Sequence, residues 1–251
     1  MKNKKVYIVG VGPGDPKYLT LEAFEVIKGL KNFIIPLKKG QKEELTKIRE
    51  KIIEYCKQGD TNYRVIKVEF PERKKGGVYK SEVQSWRDEK ASILSEVLKE
   101  IDEAGFLVLG DPSLYDGHIE IFKEVKTKVP LEIEVIPGIS TLNLLSAKHK
   151  ISLTKIAESL LITTPRPLRK QKEISMNTVV FLDNYETFKL FKEDKELIIY
   201  WGAYLGTEKE RLFRGKLSEC WQKIVELRKE LKEKYGYLME TYLLIKDKRD
   251  E

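Results

Sequence analysis

Short apolar runs that end in glycine or proline alternate, along the first half of the chain, with segments whose apolar residues recur every three to four positions. The runs predict buried strands, and the periodic segments predict amphipathic helices. Strands are predicted at residues 5–9, 33–37, 63–68, 106–109 and 131–136, and helices are predicted to begin after Thr20, near Gln41, at Ser81 and at Gly117. Thr20 is predicted to cap the first helix, and Ser81 and Gln84 are predicted to form a capping box. Strands that alternate with helices predict a mostly parallel α/β sheet.

The second half of the chain is richer in strands than in helices. Strands are predicted at residues 158–163, 178–183, 197–204 and 237–245, with helices only after Tyr185 and over residues 218–234. More strands per helix predict a mixed sheet. Because the pattern changes at the sequence IPGIS, which begins at Ile136, we place one α/β domain at residues 1–137 and a second at residues 138–251.

Three glycine-containing turns follow predicted strands: GVGPGD from Gly10, GDPSLYDG from Gly110 and IPGIS from Ile136. In open α/β sheets, ligands bind at the carboxyl ends of the strands. The first turn differs from a dinucleotide fingerprint, because Asp15 stands where the last glycine is needed, and no Gly-Lys-Ser/Thr of a P-loop follows. Glycines expose backbone N–H groups, and Ser140 is placed to cap a helix whose amino terminus suits a carboxylate.

Composition narrows the function classes that fit the chain. Its 251 residues are 41% hydrophobic, and 47 basic against 40 acidic residues give a net charge of +7. No apolar run approaches the roughly 20 residues of a membrane helix, and no signal peptide precedes the first strand, so we expect a cytoplasmic protein without membrane contact. Two cysteines and two histidines lack metal-ligand spacing, so no metal site is expected.

Together, each at a predicted strand end, the three motifs resemble those of the tetrapyrrole methylase family, which uses S-adenosylmethionine (SAM). Further segments are similar to the deacetylating branch of that family: GDPSLYD, HKISL from His149, ITTPR from Ile162, YWGAYLGT from Tyr200 and METYLL from Met239. The resemblance implies two α/β domains with the cofactor in the cleft between them, and a homodimer. It also implies methyl transfer from SAM to C-1 of precorrin-5, an anionic tetrapyrrole, with loss of acetate and formation of S-adenosylhomocysteine.

The resemblance also implies which positions contact the cofactor. In the first half these are Pro13, Gly110, Asp111, Leu114, Ser140 and Thr141. In the second half they are Leu182, Ala203 and Thr241, which are placed by strand pattern. Asp111 is expected to face the cationic part of SAM, the two leucines to enclose the adenine, and backbone groups near Ala203 to read its edge.

Loss of the acetyl group calls for assistance by a titratable side chain. Tyr115 is the candidate catalytic residue, because Tyr115, Asp116 and His118 form the titratable group that follows the second turn most closely. Arg166 and Arg169, with the basic loop at residues 73–75, are candidate contacts for the substrate carboxylates, since arginine pairs with carboxylates through two hydrogen bonds.

Two other functions share features of the sequence. The first is another methylase of the same fold, which would share the GDP turn. It could be a methylase of a different precorrin position, a diphthine synthase or a ribosomal RNA methyltransferase. A basic nucleic-acid-binding protein without catalysis agrees with the net charge of +7. The sequence has no clustered aromatic and basic strand motif of the RNA-binding kind, so we expect a tetrapyrrole partner and no nucleic acid.

Overall fold

The chain divides into two α/β units, Met1–Ser140 and Thr141–Glu251. The structure, a computed structural model, describes residues 4–37, 39–40, 43–72 and 79–246. The division between the units falls close to the predicted boundary at residues 137 and 138, which stays a prediction.

The first unit is built on a five-stranded parallel sheet. Its strands are β1 (Lys4–Gly10), β2 (Asn32–Pro36), β3 (Arg64–Val68), β4 (Glu103–Val108) and β5 (Leu131–Ile136). They lie in the order β3-β2-β4-β1-β5, and every neighbouring pair is parallel. The carboxyl ends of parallel strands share one edge, and β4, β1 and β5 are neighbours. The sheet therefore brings the three glycine-containing turns together.

Helices cover both faces of this sheet. They are α1 (Leu21–Gly29), α2 (Glu43–Lys57), α3 (Tyr79–Lys99) and α4 (His118–Lys126). Leu94 of α3 and Phe122 of α4 belong to the buried cluster that includes Ile8. Ile27 of α1 and Ile52 of α2 belong to a second cluster, which contains the next strand residue, Val9. Because alternate residues of β1 enter different clusters, both faces of the sheet are buried, as is usual for parallel sheets.

Two helix starts test the capping predictions. Thr20 caps α1 as predicted, since its Oγ1 accepts a hydrogen bond from the Ala23 N–H at 3.1 Å. The capping box predicted at Ser81 and Gln84 is wrong, because α3 begins at Tyr79 and Ser81 lies inside its first turn. The Gln84 side chain instead donates to Asp88, one turn along the helix, at 2.9 Å.

The second unit contains a mixed sheet, as predicted. Its strands are β6 (Leu160–Thr163), β7 (Asn177–Phe181), β8 (Leu197–Ala203), β9 (Arg211–Lys216) and β10 (Glu240–Lys246). The order is β6-β7-β10-β8-β9; β6 and β7 are parallel, and the other pairs are antiparallel. The sequence pattern did not predict β9, whose residues are exposed or half-buried along the sheet edge.

The helices of the second unit are α5 (Thr141–His149), α6 (Pro165–Leu168) and α7 (Leu217–Tyr235). A short 3-10 helix, Thr187–Phe191, stands where a helix was predicted after Tyr185. The observed parallel first sheet and mixed second sheet confirm the predicted fold class of two α/β domains.

Candidate active site

The turns that follow β1 and β4 are hydrogen-bonded to each other. The Gly110 N–H donates to the Gly12 carbonyl at 2.7 Å, and the Gly12 N–H donates to the Gly110 carbonyl at 3.3 Å. The two turns therefore extend the sheet beyond its regular strands. The expectation that the first loop exposes its N–H groups is wrong at Gly12, because that N–H is used to join the turns.

The turn after β5 meets the other two through glycine backbone. A Cβ atom at Gly138 would lie against the Gly110 carbonyl oxygen and 2.7 Å from the carbonyl carbon of Gly10. A Cβ atom at Gly10 would lie 2.6 Å from the Gly138 nitrogen and 2.8 Å from Cδ of Pro112. Contacts this short leave no room for a side chain, so the glycines allow the three turns to pack backbone against backbone.

The carboxylate of Asp111 ties the second turn to the third. Its Oδ2 accepts a hydrogen bond from the Gly138 N–H at 2.8 Å, and its Oδ1 accepts from the Ser113 N–H at 2.8 Å and from Ser113 Oγ. Burial opposes ionisation of this carboxyl, but the hydrogen bonds from Ser113 and Gly138 outweigh burial and lower its pKa. Asp111 is therefore a fixed negative charge at the strand ends.

Beyond Asp111 the turn places Tyr115 in an unusual conformation. Tyr115 has a φ of 57°, in the left-handed region, and its residue surface is 46% exposed. Partial burial raises the pKa of the Tyr115 phenol, so the group is protonated at neutral pH and able to donate a hydrogen bond. Backbone strain of this kind is concentrated at functional sites in proteins.

A buried arginine supports the strand that carries this turn. Arg49 of α2 is 8% exposed; its Nε donates to the carbonyl of Leu107 in β4 at 2.9 Å, and its Nη1 donates to the Leu45 carbonyl at 2.6 Å. Burial lowers the pKa of Arg49 to about 10, against the attraction of Asp116, so the guanidinium stays charged at neutral pH. Arg49 is not among the residues predicted from the sequence, because it lies beside the apolar stripe of a predicted helix.

In the second unit, three of the predicted cofactor residues lie at the same end of the three central strands of the mixed sheet, β7, β10 and β8. Thr241, at the start of β10, pairs with Phe181 of β7 on one side and with Gly202 of β8 on the other. Leu182 and Ala203 directly follow those two partners. The antiparallel pairing therefore places Leu182, Thr241 and Ala203 on three adjacent strand ends, which agrees with their assignment to a common site.

The start of α5 is hydrogen-bonded to one of these strand ends, at the start of β10. Thr141 Oγ1 and Thr241 Oγ1 lie 2.8 Å apart in a hydrogen bond. Ser140, the preceding residue, is 5% exposed. Thr141 is therefore positioned beside the predicted cofactor residues of its own unit. The role of Ser140 as the cap of α5 stays a prediction.

The sequence matches a known protein family over most of its length. The family model described as tetrapyrrole (corrin/porphyrin) methylases matches residues 5–220. The chain belongs to the tetrapyrrole methylase family. Its enzymes are methyltransferases, and the match covers the three glycine-containing turns and most of the second unit.

Individual relatives are similar over nearly the whole chain. A precorrin-6A synthase [deacetylating] of Sinorhizobium sp is 38% identical over 252 residues, which cover 97% of this chain and 95% of the relative. The crystal structure of a cobalamin synthesis related protein from Corynebacterium diphtheriae matches with a TM-score of 0.82 and 29% identity, over 97% of this chain and 99% of that one.

A third comparison concerns the fold alone. A uroporphyrin-III C-methyl transferase from Thermus thermophilus, solved as a complex with S-adenosyl homocysteine, matches with a TM-score of 0.63 and 19% identity. The match covers 98% of this chain and 93% of the transferase chain. The two-unit α/β fold is thus shared with tetrapyrrole methylases of low sequence identity.

Among the predicted residues of this tetrapyrrole methylase, Pro13 is buried in the first turn and Leu114 is half-buried in the second. They join Gly110 and Asp111 at the strand ends of the first unit, and their contacts with a cofactor stay predictions. Arg169 lies at the end of α6 with its guanidinium 5.6 Å from the ring centroid of Tyr185.

The proposed substrate contacts at Arg166 and Arg169 stay predictions, and both residues are exposed. The predicted contact loop at residues 73–75 lies outside the described residues. Within the described ranges, no three or more His, Cys, Asp or Glu side chains are placed to hold a metal ion. In those ranges, none of the helices is both long and apolar enough to span a membrane.

His118 is a largely buried titratable group behind the second turn, with 12% of its side chain exposed. Its Nδ1 lies 2.6 Å from Oδ1 of Asp116, and its ring centroid lies 4.5 Å from that of Phe106. Burial lowers the pKa of His118; the hydrogen bond and charge of Asp116 oppose this, and the positive charges of Lys90 and Arg49 add to it. The folded protein therefore favours the neutral imidazole.

The glycine packing gives a first prediction. Gly138→Ala should lower the free energy of unfolding by about 2 kcal/mol or more, because the added methyl group must displace backbone atoms. Gly29→Ala is the matched control, since a Cβ at Gly29 in α1 meets nothing within 4 Å and no loss is expected. Urea denaturation of both variants measures the difference, and equal stability of the two would contradict the packing argument.

The pKa of His118 gives a second prediction. A lowered histidine pKa contributes stability that is fully present above the unfolded value of about 6.5 and is lost as pH falls below it. His118→Gln should therefore reduce the amount by which stability at pH 7.5 exceeds stability at pH 5.5.

Burial raises the pKa of Glu240 to about 7 and gives a pH dependence of opposite sign. That contribution is common to the wild type and the His118→Gln variant, so it cancels when the two are compared. Urea denaturation at both pH values measures the difference. An unchanged pH dependence in the variant would show that His118 titrates normally in the folded state.

Proposed function

We propose that this chain is a deacetylating precorrin-6A synthase, which transfers a methyl group from SAM to C-1 of precorrin-5 and releases acetate. The observation that carries the proposal is the 38% identity to such an enzyme over 97% of this chain and 95% of the relative. In the reaction, water adds to the acetyl carbonyl carbon, the bond between C-1 and the acetyl group breaks, and acetate leaves. The electron pair left on C-1 forms the new C–C bond to the methyl group as the S–CH3 bond breaks.

The described residues fit SAM as the methyl donor in two respects. The ionised carboxylate of Asp111 supplies negative charge at the strand ends of the first unit, which suits a sulfonium or ammonium group. At the strand ends of the second unit, Leu182 is 60% exposed and offers an apolar surface to an aromatic ring. When bound, SAM supplies an electrophilic methyl group.

We assign the protein's contribution to methyl transfer chiefly to positioning. The contacts among the three turns fix Gly110 and Asp111. The other residues that we propose as cofactor contacts in the first unit, Pro13, Leu114 and Ser140, lie in the same three turns. Fixed groups hold the reacting atoms in line without further loss of entropy, and exclusion of water strengthens the electrostatic contacts. In the second unit the proposed contacts are Thr141, Leu182, Ala203 and Thr241.

Tyr115 is our candidate for assisting the loss of the acetyl group. Its phenol is protonated at neutral pH, because partial burial raises its pKa. A neutral phenol donates a hydrogen bond to an oxygen that gains negative charge, such as the acyl oxygen when water attacks the acetyl carbon. The proposed role is therefore that of a donor rather than of a base.

The proposal extends to the state of the protein in the cell. We propose a homodimer in the cytoplasm, with an anionic tetrapyrrole as substrate and no nucleic-acid partner. Sedimentation equilibrium of the purified chain measures the oligomeric state, and a monomer at micromolar concentration would refute the dimer without affecting the reaction.

Product analysis tests the reaction directly. A reconstituted mixture that supplies precorrin-5 and SAM should yield, only when this protein is added, a product that gains one methyl group and loses one acetyl group, with free acetate released. A methylated product that keeps the acetyl group would move the enzyme to another precorrin reaction. An unchanged tetrapyrrole together with bound SAM would remove precorrin-5 as the substrate.

Replacement of one phenol tests the proposed donor. Tyr115→Phe should bind SAM within about twofold of the wild type and turn over roughly a hundredfold more slowly, because the donor to the acyl oxygen is lost. Tyr55→Phe on α2 is the control, since Tyr55 is 56% exposed and lies outside the proposed site. Calorimetric titration and acetate release measure the two effects; full turnover by Tyr115→Phe would exclude the donor role.

A further inference from the structure

Leu182 combines a strained backbone with an exposed side chain. Its φ is 57°, in the left-handed region that a bulky side chain disfavours, and its side chain is mostly in solvent, since the residue is 60% exposed. Because the Leu182 side chain is exposed, it gains little free energy from burial in the hydrophobic core, and this gain does not offset the cost of the strained backbone. The conformation must therefore be imposed by neighbouring residues.

Asp183, the next residue, is held from several sides. It is 3% exposed, and its carboxylate accepts hydrogen bonds from the N–H groups of Tyr185 at 2.8 Å and Thr187 at 2.7 Å and from Thr187 Oγ1 at 3.0 Å. The hydroxyl of Tyr242 in β10 donates to the same carboxylate at 2.7 Å. Four donors on one carboxylate fix the direction in which the chain leaves β7.

A buried arginine holds the backbone of the same residue. Nη2 of Arg228, which is fully buried on α7, donates to the Asp183 carbonyl at 2.9 Å. Nη1 of Arg228 forms an ion pair with Glu240, whose other carboxylate oxygen accepts a hydrogen bond from Trp201 Nε1 at 2.7 Å. The side chain and the carbonyl of Asp183 are therefore both tied to the interior of the second unit.

The neighbouring strand end shows the same strain. Tyr204, which directly follows β8, has a φ of 48°. The start of β10, at Glu240 and Thr241, lies between the ends of β7 and β8. Leu182 and Tyr204 therefore have left-handed backbone conformations at the two strand ends that flank the start of β10. Strained backbone of this kind is typical of ligand sites.

We propose that the buried network of Asp183, Tyr242, Arg228, Glu240 and Trp201 is a positioning device that holds Leu182 strained and exposed, so that its side chain forms an apolar contact for SAM. Leu182 touches the cofactor, and the network residues act through Leu182. The inference rests on the proposed function for the identity of the ligand. The strain itself is independent of that identity.

The proposal predicts opposite effects of one substitution on stability and on binding. Leu182→Asn should raise the melting temperature of the ligand-free protein by a few degrees, because asparagine tolerates the left-handed region far better than leucine. It should also weaken the binding of S-adenosylhomocysteine about tenfold, because the apolar contact is lost. Leu190→Asn is the control, since Leu190 is 58% exposed with ordinary φ, and neither a rise in melting temperature nor weaker binding is expected.

A double-mutant cycle separates positioning from general damage. Asp183→Asn should weaken S-adenosylhomocysteine binding in the wild-type background but should add little to the loss in a Leu182→Asn background, because both changes remove the same contact. Tyr242→Phe removes a single donor and serves the same cycle if Asp183→Asn does not fold. Losses that add in full would overturn the positioning role.

Calorimetric titration with S-adenosylhomocysteine distinguishes the two levels of the argument. Wild-type binding with unchanged affinity in Leu182→Asn overturns this inference and leaves the proposed function intact. Failure of the wild-type protein to bind S-adenosylhomocysteine overturns the proposed function, and it also overturns the assignment of SAM as the ligand that Leu182 contacts. Weaker binding together with a higher melting temperature supports both.

Discussion

The close approach of backbone at the carboxyl ends of β4, β1 and β5 is the constraint on which the first unit depends. Gly10, Gly110 and Gly138 meet with no space for a Cβ at the first and last of these positions. Parallel pairing of the three strands places the turns side by side, and the absence of side chains lets them touch. Gly10 and Gly138 are thus required by packing, before any ligand is considered.

This packing changes the interpretation of the motif residues. From the sequence, the glycine loop was expected to present N–H groups and Asp111 to face a cationic ligand. In the structure, the N–H groups of Gly12, Gly110 and Gly138 are used to join the turns, and Asp111 accepts one of these bonds. A carboxylate held in this way keeps its charge at a fixed position, so a structural role and a role toward a cation are compatible.

Much of the fold could be predicted from the sequence, because its strands and helices have strong periodicity or clear end signals. β9 was missed because an edge strand with exposed and half-buried residues, RLFRGK, lacks the apolar run of the other strands. The capping box at Ser81 failed because α3 starts two residues earlier, so a local capping motif did not decide the helix end. Fold class followed from the alternation of elements, which is insensitive to such errors.

The residues that support the candidate site were not predictable, because their partners are distant in sequence. Arg49 donates to a carbonyl 58 positions away in β4, and Arg228 donates to a carbonyl 45 positions away after β7. In each unit, a helix supplies a buried arginine that holds the backbone where a predicted site residue lies, near Asp111 in one unit and beside Leu182 in the other. Because an unpaired buried charge is strongly unfavourable, such an arginine is stable only when the strand end adopts the geometry that satisfies it. The same interaction therefore couples the stability of each unit to the shape of its proposed binding edge.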